Sequence, residues 1–193
     1  MSLIDLRSMG KQVESIYLKR IIIKKEFCLI LFVASMSGKS LFKLKNYEIH
    51  SITTVCDGKM NANIASWVMQ SAMKGKCFLI ALDKQDFTIE LVKQSRILNV
   101  NFLAEDQVLL INKLGRKSGR NIDKFKFLKY ELDHRGCPYL SDSIGYIQGK
   151  VINSVDSLDH EIFICETLAQ KFLNKDKSPL RLNYLREKGL IRG

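Results

Sequence analysis

The chain of 193 residues has no two cysteines spaced as Cys-x-x-Cys. A zinc site and an iron–sulfur cluster both need closely paired thiolates, and a disulfide framework normally uses an even number of cysteines. The spacing therefore argues against all three and predicts buried, reduced thiols in a cytoplasmic protein. The cysteines are five in number and widely separated: Cys28, Cys56, Cys77, Cys137 and Cys165.

The sequence also lacks an apolar run long enough to cross a bilayer, which takes about 20 residues. The apolar stretch at residues 27–36 is half that length, and a secretory signal would normally stand nearer the start. We therefore predict no membrane span and a buried or partner-covered segment at this place. The three histidines have no companions at metal-ligand spacing, so we predict no metal site.

Acidic residues are scarce relative to basic ones, and the net charge of +11 first suggests a nucleic-acid partner. Residues 1–45 contain nine Lys/Arg and three Asp/Glu, whereas the remaining 148 residues contain 22 and 17. Basic and aromatic residues are not interleaved as a base-stacking surface requires. A basic nucleic-acid-binding protein therefore stays only as a weaker alternative, and the mildly basic remainder suits an anionic cofactor equally well.

A second alternative comes from Met36-Ser-Gly-Lys-Ser40, which resembles the end of a nucleotide-binding P-loop. Val33 stands where the first glycine of that motif should be. A P-loop also continues into a long helix, whereas here a strand pattern follows almost at once. Nucleotide hydrolysis is therefore disfavoured.

From residue 44 onward the pattern is rich in strands. Alternating and β-branched segments are separated by turn residues, above all Asp57-Gly58, and only two or three short helices interrupt them. This order predicts a mainly β barrel rather than a doubly wound sheet. The predicted strands are 47–55, 62–72, 77–82, 97–103, 144–155 and 161–168, and the predicted helices follow Asp86 and Asp106.

Several polar segments could form a binding site for an anionic ligand. In Asn61-Ala-Asn-Ile-Ala-Ser-Trp67, small polar side chains alternate with alanines that allow close backbone approach. Lys84 and Thr88 flank a predicted helix start, where a cation and oriented N–H groups suit a phosphate. Taken alone, these residues fit a solvated hairpin face and an ordinary helix cap equally well.

Four motifs in order remove that ambiguity. Asn61–Trp67, Lys84–Thr88, Ser118–Phe125 and Asp159-His160 together resemble the flavin reductase family over roughly residues 40 to 193. The resemblance is greatest to flavoredoxins and to the flavin domains of rubredoxin-type reductases. It implies an FMN-binding split β-barrel in residues 40–193, preceded by an N-terminal extension, residues 1–39, of uncertain role. It also implies a homodimer.

The resemblance further implies which residues hold FMN. The strand from Asn63 to Trp67 would lie against the flavin, and the turn from Lys84 to Thr88 near its phosphate. Lys124, in the loop that begins at Ser118, would lie near the flavin or the nicotinamide. The implied cofactor-binding residues are Asn63, Ala65, Ser66, Trp67, Lys84, Thr88, Ser118, Gly119 and Lys124.

His160 is the implied catalytic residue, because the family's Gly-Asp-His motif places its histidine beside the reduced nicotinamide. Here Leu158 replaces the glycine. The expected activity is NAD(P)H-dependent reduction of FMN, with electrons passing to an acceptor or a partner monooxygenase. The alternative that Leu158 keeps open is an FMN electron carrier that does not use NAD(P)H directly.

Overall fold

The computed structural model describes residues 40–74 and 76–190. The compact unit analysed below is Asn46–Gly193, and residues 40–45 belong to a separate unit that contains one turn of 3-10 helix, Leu41–Leu44. The predictions for residues 1–39, including the apolar stretch, lie outside the described residues. The proposed domain boundary at residues 39 and 40 stays a prediction.

The described residues form nine strands, of which seven make one curled antiparallel sheet in the order β2-β1-β5-β8-β9-β4-β3. The other two, β6 and β7, form a separate hairpin. This confirms the predicted mainly β split-barrel fold. The strands are β1 (His50–Cys56), β2 (Lys59–Ala65), β3 (Val68–Gln70), β4 (Cys77–Asp83), β5 (Ile97–Phe102), β6 (Tyr130–Leu132), β7 (Pro138–Leu140), β8 (Gly145–Ser157) and β9 (His160–Phe172).

Three short helices accompany the sheet in the described residues: α1 (Phe87–Ser95), α2 (Leu110–Gly115) and α3 (Leu182–Glu187). The main core joins side chains of the sheet to the apolar face of α1, which contributes Ile89 and Val92. A second apolar cluster lies beneath α2 and α3. Across the described ranges, no helix is long and apolar enough to cross a membrane.

The turn between β1 and β2 forms as predicted. Asp57 and Gly58 have φ angles of 48° and 75°, the left-handed conformation of tight hairpins, and Cys56 pairs with Lys59 across them. The predicted return strand 62–72 is wrong in its extent. Hydrogen bonding to β1 ends at Ala65, and the chain turns a corner so that β3 pairs with β4 instead.

The second predicted helix also differs from the structure. Asp106 lies within a 3-10 turn, Glu105–Gln107. The N–H of Ala104, the residue before this turn, donates to the side chain of Gln107. The α-helix begins only at Leu110, and Gly115 is its last residue rather than the residue beyond it. The β6–β7 hairpin and α3 were not predicted. Strands of three residues and a helix of six are too short to show a clear hydrophobic periodicity.

His50, at the start of β1, is a buried titratable group of the fold. Its side chain is 3% exposed and its ring meets Phe102 edge to face, with 4.7 Å between the centroids. Burial lowers its pKa from 6.5 to about 4, and a hydrogen bond to the carbonyl of Ala65 acts in the opposite direction. The imidazole is therefore neutral in the folded protein at pH 7.

We expect this histidine to make the protein acid-sensitive. Since the pKa is lower in the folded state than in the unfolded state, the unfolded chain binds the proton first as the pH falls. The free energy of unfolding should decrease between pH 6.5 and pH 4, by about 3 kcal/mol from His50. Urea denaturation at a series of pH values measures this. His50→Phe should show a shallower pH dependence; an unchanged slope would contradict the assignment.

Candidate functional site

The corner after β2 forms one wall of a cleft. Trp67 lies in this corner, where its carbonyl accepts a hydrogen bond from the N–H of Ala81 on β4. Next to β4, the first residue of β9, His160, pairs with Asp83. The end of β2, the end of β4 and the start of β9 therefore meet. The cleft has a volume of about 170 Å³, and its lining includes Asn63, Ala65, Ser66, Trp67, Asp83, Asp86 and His160.

An aromatic pair forms one side of this cleft. The rings of Trp67 and His160 lie 4.7 Å apart between centroids at an angle of 43°, and Trp67 is 51% exposed. Nδ1 of His160 is 2.8 Å from Oδ1 of Asp159. This hydrogen bond is the main reason that the pKa of Asp159 lies below its ordinary value. A carboxylate bonded to Nδ1 leaves Nε2 as the nitrogen available to a ligand.

Two buried asparagines on β2 face helix α1. Nδ2 of Asn61 donates to Oγ1 of Thr88 at 2.9 Å, and Nδ2 of Asn63 donates to Oδ2 of Asp86 at 2.7 Å. Oδ1 of each asparagine is buried and has no hydrogen-bond partner among the described residues. Since an ionised carboxylate only accepts hydrogen bonds, Asp86 fixes which way the Asn63 amide points. Of the two, only Asn63 lines the cleft, so the site holds one oriented acceptor.

Asp86 precedes α1, as the sequence predicts, in the extended conformation of a helix N-cap. Its carboxylate, however, is engaged with the amide of Asn63, on the neighbouring strand β2. Neither Asn61 nor Asp86 was among the predicted site residues. The sequence offered one signal: Asn61 and Asn63 are two apart, which places both on the same face of a strand.

The loop that contains Ser118 and Gly119 packs directly on Asn61. A Cβ on Gly119 would lie 2.0 Å from Oδ1 of Asn61, so a larger residue here would require the loop or the asparagine to shift. Oγ of Ser118 accepts a hydrogen bond from the N–H of Arg120 at 3.3 Å. The Arg120 guanidinium donates to the carbonyl of Gln85 at 3.2 Å, which ties the loop to the start of α1.

Lys124 is buried beneath β2 rather than exposed in a solvated loop. Its Nζ donates to the carbonyls of Ala62, at 2.7 Å, and Leu114, at 2.6 Å. Burial lowers the pKa of this ammonium, and the charge of Asp86 opposes that shift. Lys124 thus joins β2 to the end of α2, and its charge lies behind the strand that carries the two asparagines.

Lys84 directly follows β4, and its side chain contacts the turn between β8 and β9 on the far side of the site. Its Nζ is 2.7 Å from Oδ2 of Asp156 and also donates to the carbonyl of Leu158. Leu158 has a φ of 52° and a side chain that is 91% exposed. A leucine therefore adopts the left-handed conformation that favours glycine, at the position where the family motif has glycine.

The structure brings most of the predicted residues together, but only some of them line the cleft. Asn63, Ala65, Ser66, Trp67 and His160 line the cleft. Thr88 and Gly119 contact Asn61 behind it, and Ser118 lies in the same loop as Gly119. Lys84 and Lys124 flank the cleft with their ammonium groups already hydrogen-bonded. No group of three or more metal-ligating side chains occurs within the described part of the chain.

Residues 46–188 match the sequence pattern of the flavin reductase like domain. The chain belongs to the flavin reductase family. It is 32% identical to the high molecular weight rubredoxin of Moorella thermoacetica over 131 residues, 67% of this chain and 57% of that protein. It is 24% identical over 140 residues to a ferric-chelate reductase (NAD(P)H) of Archaeoglobus fulgidus, covering 72% and 82% of the two chains.

A solved structure with the same fold is flavoredoxin from Methanosarcina acetivorans. Its TM-score is 0.66 at 16% identity, over 75% of this chain and 82% of that one. The family and the fold that the four motifs implied are thus confirmed. The roles of the individual site residues stay predictions.

We expect Gly119→Ala to disturb the site from behind. The added methyl group cannot fit beside Oδ1 of Asn61, so either the loop or the asparagine must move, lowering the free energy of unfolding by about 1–3 kcal/mol. Thermal and urea denaturation measure the loss. Ser118→Ala is the matched control, because it removes only a 3.3 Å hydrogen bond within the loop. Equal stability of the two variants would count against the close approach.

Proposed function

We propose that this protein binds FMN in the cleft, reduces it with NAD(P)H, and passes the electrons on to an acceptor. Membership of the flavin reductase family supports the reaction class. The observation that carries the proposal is the meeting of three features at one cleft: the Trp67–His160 aromatic pair, the hydroxyl of Ser66 and the oriented amide of Asn63.

These residues fit the chemistry of a flavin. The isoalloxazine ring has flat apolar faces and a polar edge, so it needs an aromatic or aliphatic wall and a few fixed hydrogen-bonding groups. Trp67 supplies the wall, and the unpartnered Oδ1 of Asn63 would accept a hydrogen bond from an N–H or hydroxyl donor. Bound FMN would supply the hydride-accepting ring system that no amino-acid side chain provides.

His160 would orient the nicotinamide at the same cleft. Asp159 holds Nδ1 of the imidazole, which fixes the ring and leaves Nε2 for a ligand. Hydride transfer asks mainly for stacking and alignment of two rings, so a fixed aromatic pair is more useful here than an acid or a base. The charge of Lys124 beneath β2 would stabilise negative charge that develops nearby.

For the phosphate of FMN we propose the turn from Lys84 to Thr88, with Ser118 nearby. Helix α1 is nine residues long and begins within this turn, so its first N–H groups can meet an anion. Asp86 would oppose an anion at this end of the helix, which makes the cation at Lys84 more important. To reach a phosphate, Lys84 must give up or share its contacts with Asp156 and Leu158.

We also propose that the protein is a homodimer. The cleft, at about 170 Å³, is smaller than the 300–1,000 Å³ of typical ligand sites, so one chain forms only part of the site. Trp67 is a large apolar side chain, 51% exposed, at this corner, and a second chain would cover it. The four described cysteines are free, which suits a reducing cytoplasm.

A flavin electron carrier is the second candidate function. The exposed Leu158, at the tip of the turn before His160, lies where a dinucleotide would approach the imidazole. The names of two relatives, a flavoredoxin and a rubredoxin, also point to electron transfer. In this version the protein holds FMN but receives its electrons from another protein.

The first experiment is an absorbance spectrum of the purified protein, before and after NADH or NADPH is added without oxygen. We expect flavin bands, or their appearance when FMN is added, and we expect NAD(P)H to bleach them. Bands that persist with both nucleotides would favour the carrier. A protein that neither contains nor takes up FMN would contradict the proposal.

A pair of variants tests the phosphate assignment. Lys84→Met should weaken FMN binding by about 1–3 kcal/mol, since it removes a charge-assisted hydrogen bond. Asp156→Asn should leave FMN affinity unchanged or increase it, because it frees Lys84 from its 2.7 Å ion pair. If Lys84 served only to anchor the β8–β9 turn, both variants would weaken binding alike. Fluorescence quenching of FMN during titration gives the affinities.

A further inference from the structure

Two aspartates line the proposed flavin cleft and give it a negative charge. Asp83 is the last residue of β4, and Asp86 directly precedes α1. Among the described residues of this lining there is no lysine or arginine. Carboxylates in a cleft attract a positively charged group, although FMN and NAD(P)H are both anions. The charge of the cleft therefore points to a part of the ligand that is cationic.

The ammonium groups that flank the cleft make their contacts elsewhere. Nζ of Lys84 lies 2.7 Å from a carboxylate in the β8–β9 turn, and Nζ of Lys124 donates to two backbone carbonyls. Burial lowers the pKa of Lys124 and the charge of Asp86 opposes that shift, but no ion pair joins the two groups in the described part of the chain. His160, which also lines the cleft, is hydrogen-bonded to Asp159. The two aspartates of the cleft are thus left to a ligand.

Asp86 does not make the hydrogen bond that is usual for its position. An aspartate before a helix normally accepts a hydrogen bond from an N–H of the first turn, but the side chain of Asp86 makes no such bond. Its carboxylate instead accepts from Nδ2 of Asn63 at 2.7 Å. Oδ1 of Asn63, a residue that is 3% exposed, has no partner among the described residues. The lining is therefore rich in acceptors, and a matching ligand carries hydrogen-bond donors.

The aromatic wall of the cleft also favours a cation. The indole ring of Trp67 is half exposed, and the face of a tryptophan ring attracts a positive charge more strongly than that of any other side chain. The volume of about 170 Å³ is below that of a typical ligand site and suits one substituted six-membered ring. Charge, acceptors, wall and size together select a small planar cation that carries N–H donors.

We propose that Asp83 and Asp86 are specificity-determining residues that make the cleft select the oxidised, cationic nicotinamide ring. This inference rests on the proposed function. When the C4–H bond of the reduced nicotinamide breaks, its hydrogen and both electrons pass to FMN, so the nicotinamide becomes a pyridinium cation and FMN gains the negative charge. The carboxylates would stabilise that cation, and its carboxamide supplies the N–H donors. The larger isoalloxazine would extend beyond the cleft of one chain.

The test compares 1-methylnicotinamide, a cation, with nicotinamide, which has the same ring and carboxamide but no charge. Trp67 is the only tryptophan of the chain, so quenching of its fluorescence reports binding at the cleft. Free N-acetyltryptophanamide corrects for collisional quenching. We expect the cation to bind about five- to thirtyfold more tightly, the range of a cation–π contact together with partly exposed ion pairs. Equal affinities at low salt would overturn the proposal.

A double variant, Asp83→Asn/Asp86→Asn, removes both charges and keeps the shape of the cleft. An asparagine oxygen can still accept from the N–H of Gln85 and from the amide of Asn63, as the two carboxylates do. The preference for the cation should disappear, whereas the affinity for uncharged nicotinamide should stay the same. A preference that survives in this variant would overturn the role of the two aspartates.

The matched control is Asp106→Asn/Asp176→Asn, which changes the net charge equally at two exposed positions outside the lining of the cleft. It should keep the full preference, and an equal loss in both double variants would contradict a local effect. If the cleft variant does not fold, salt gives the same information on the unaltered protein. The preference should shrink when NaCl is raised to about 0.5 M, because salt screens partly exposed charges. A preference that is independent of salt would overturn the proposal.

The outcome can be separated from that of the proposed function. A protein that reduces FMN with NAD(P)H but binds both probes equally would overturn this inference alone. A protein that takes up no FMN but prefers the cation would contradict the proposed function and leave the charge selection of the cleft standing. With saturating FMN, saturation-transfer NMR should still detect bound 1-methylnicotinamide. Its displacement by FMN would assign the cleft to the isoalloxazine and overturn the inference.

Discussion

The two amide groups of Asn61 and Asn63 impose the constraint on which the site depends. They lie on an edge strand and point into the molecule, where an unpaired amide would cost several kilocalories per mole. Helix α1 resolves this by placing Thr88 and Asp86 opposite them, at 2.9 and 2.7 Å. The same two hydrogen bonds hold the start of α1 against β2, so they both satisfy the amides and position the helix.

This arrangement satisfies only half of each amide. The nitrogen of each asparagine has a partner within the chain, whereas the oxygen is buried without one among the described residues. A fold that left these oxygens permanently unpaired would lose stability for no return. Gly119 covers the oxygen of Asn61, whereas Asn63 lines the cleft, so in the proposed site a ligand's donor would recover this loss at Asn63.

The sequence pattern predicted those parts of the fold whose conformation is determined by residues adjacent in the sequence. The Asp57-Gly58 hairpin is one example, because its left-handed turn is encoded by two residues. The corner at Ser66 and Trp67 could not be found this way, since neither glycine nor proline marks it and both residues suit an extended strand. Its position follows from β3 pairing with β4, a contact set by the closure of the whole sheet.

The same distinction explains the site residues. The motif order indicated that Lys124 belongs to the site, but its partners, the carbonyls of Ala62 and Leu114, come from two other elements and have no sequence signature. The ion pair of Lys84 with Asp156 likewise joins residues 72 positions apart.

Lys84 connects the two ends of the proposed cofactor site. Its ammonium contacts Asp156 and the carbonyl of Leu158, and its own N–H donates to the carbonyl of Asp159 at 2.9 Å. The turn that Lys84 holds is therefore the turn that positions the imidazole of His160. An anion that attracts the ammonium must compete with Asp156, and the backbone hydrogen bond to Asp159 is independent of that competition. The imidazole can thus stay in place if the side chain of Lys84 exchanges partners, so the proposed phosphate contact would not require the turn to move.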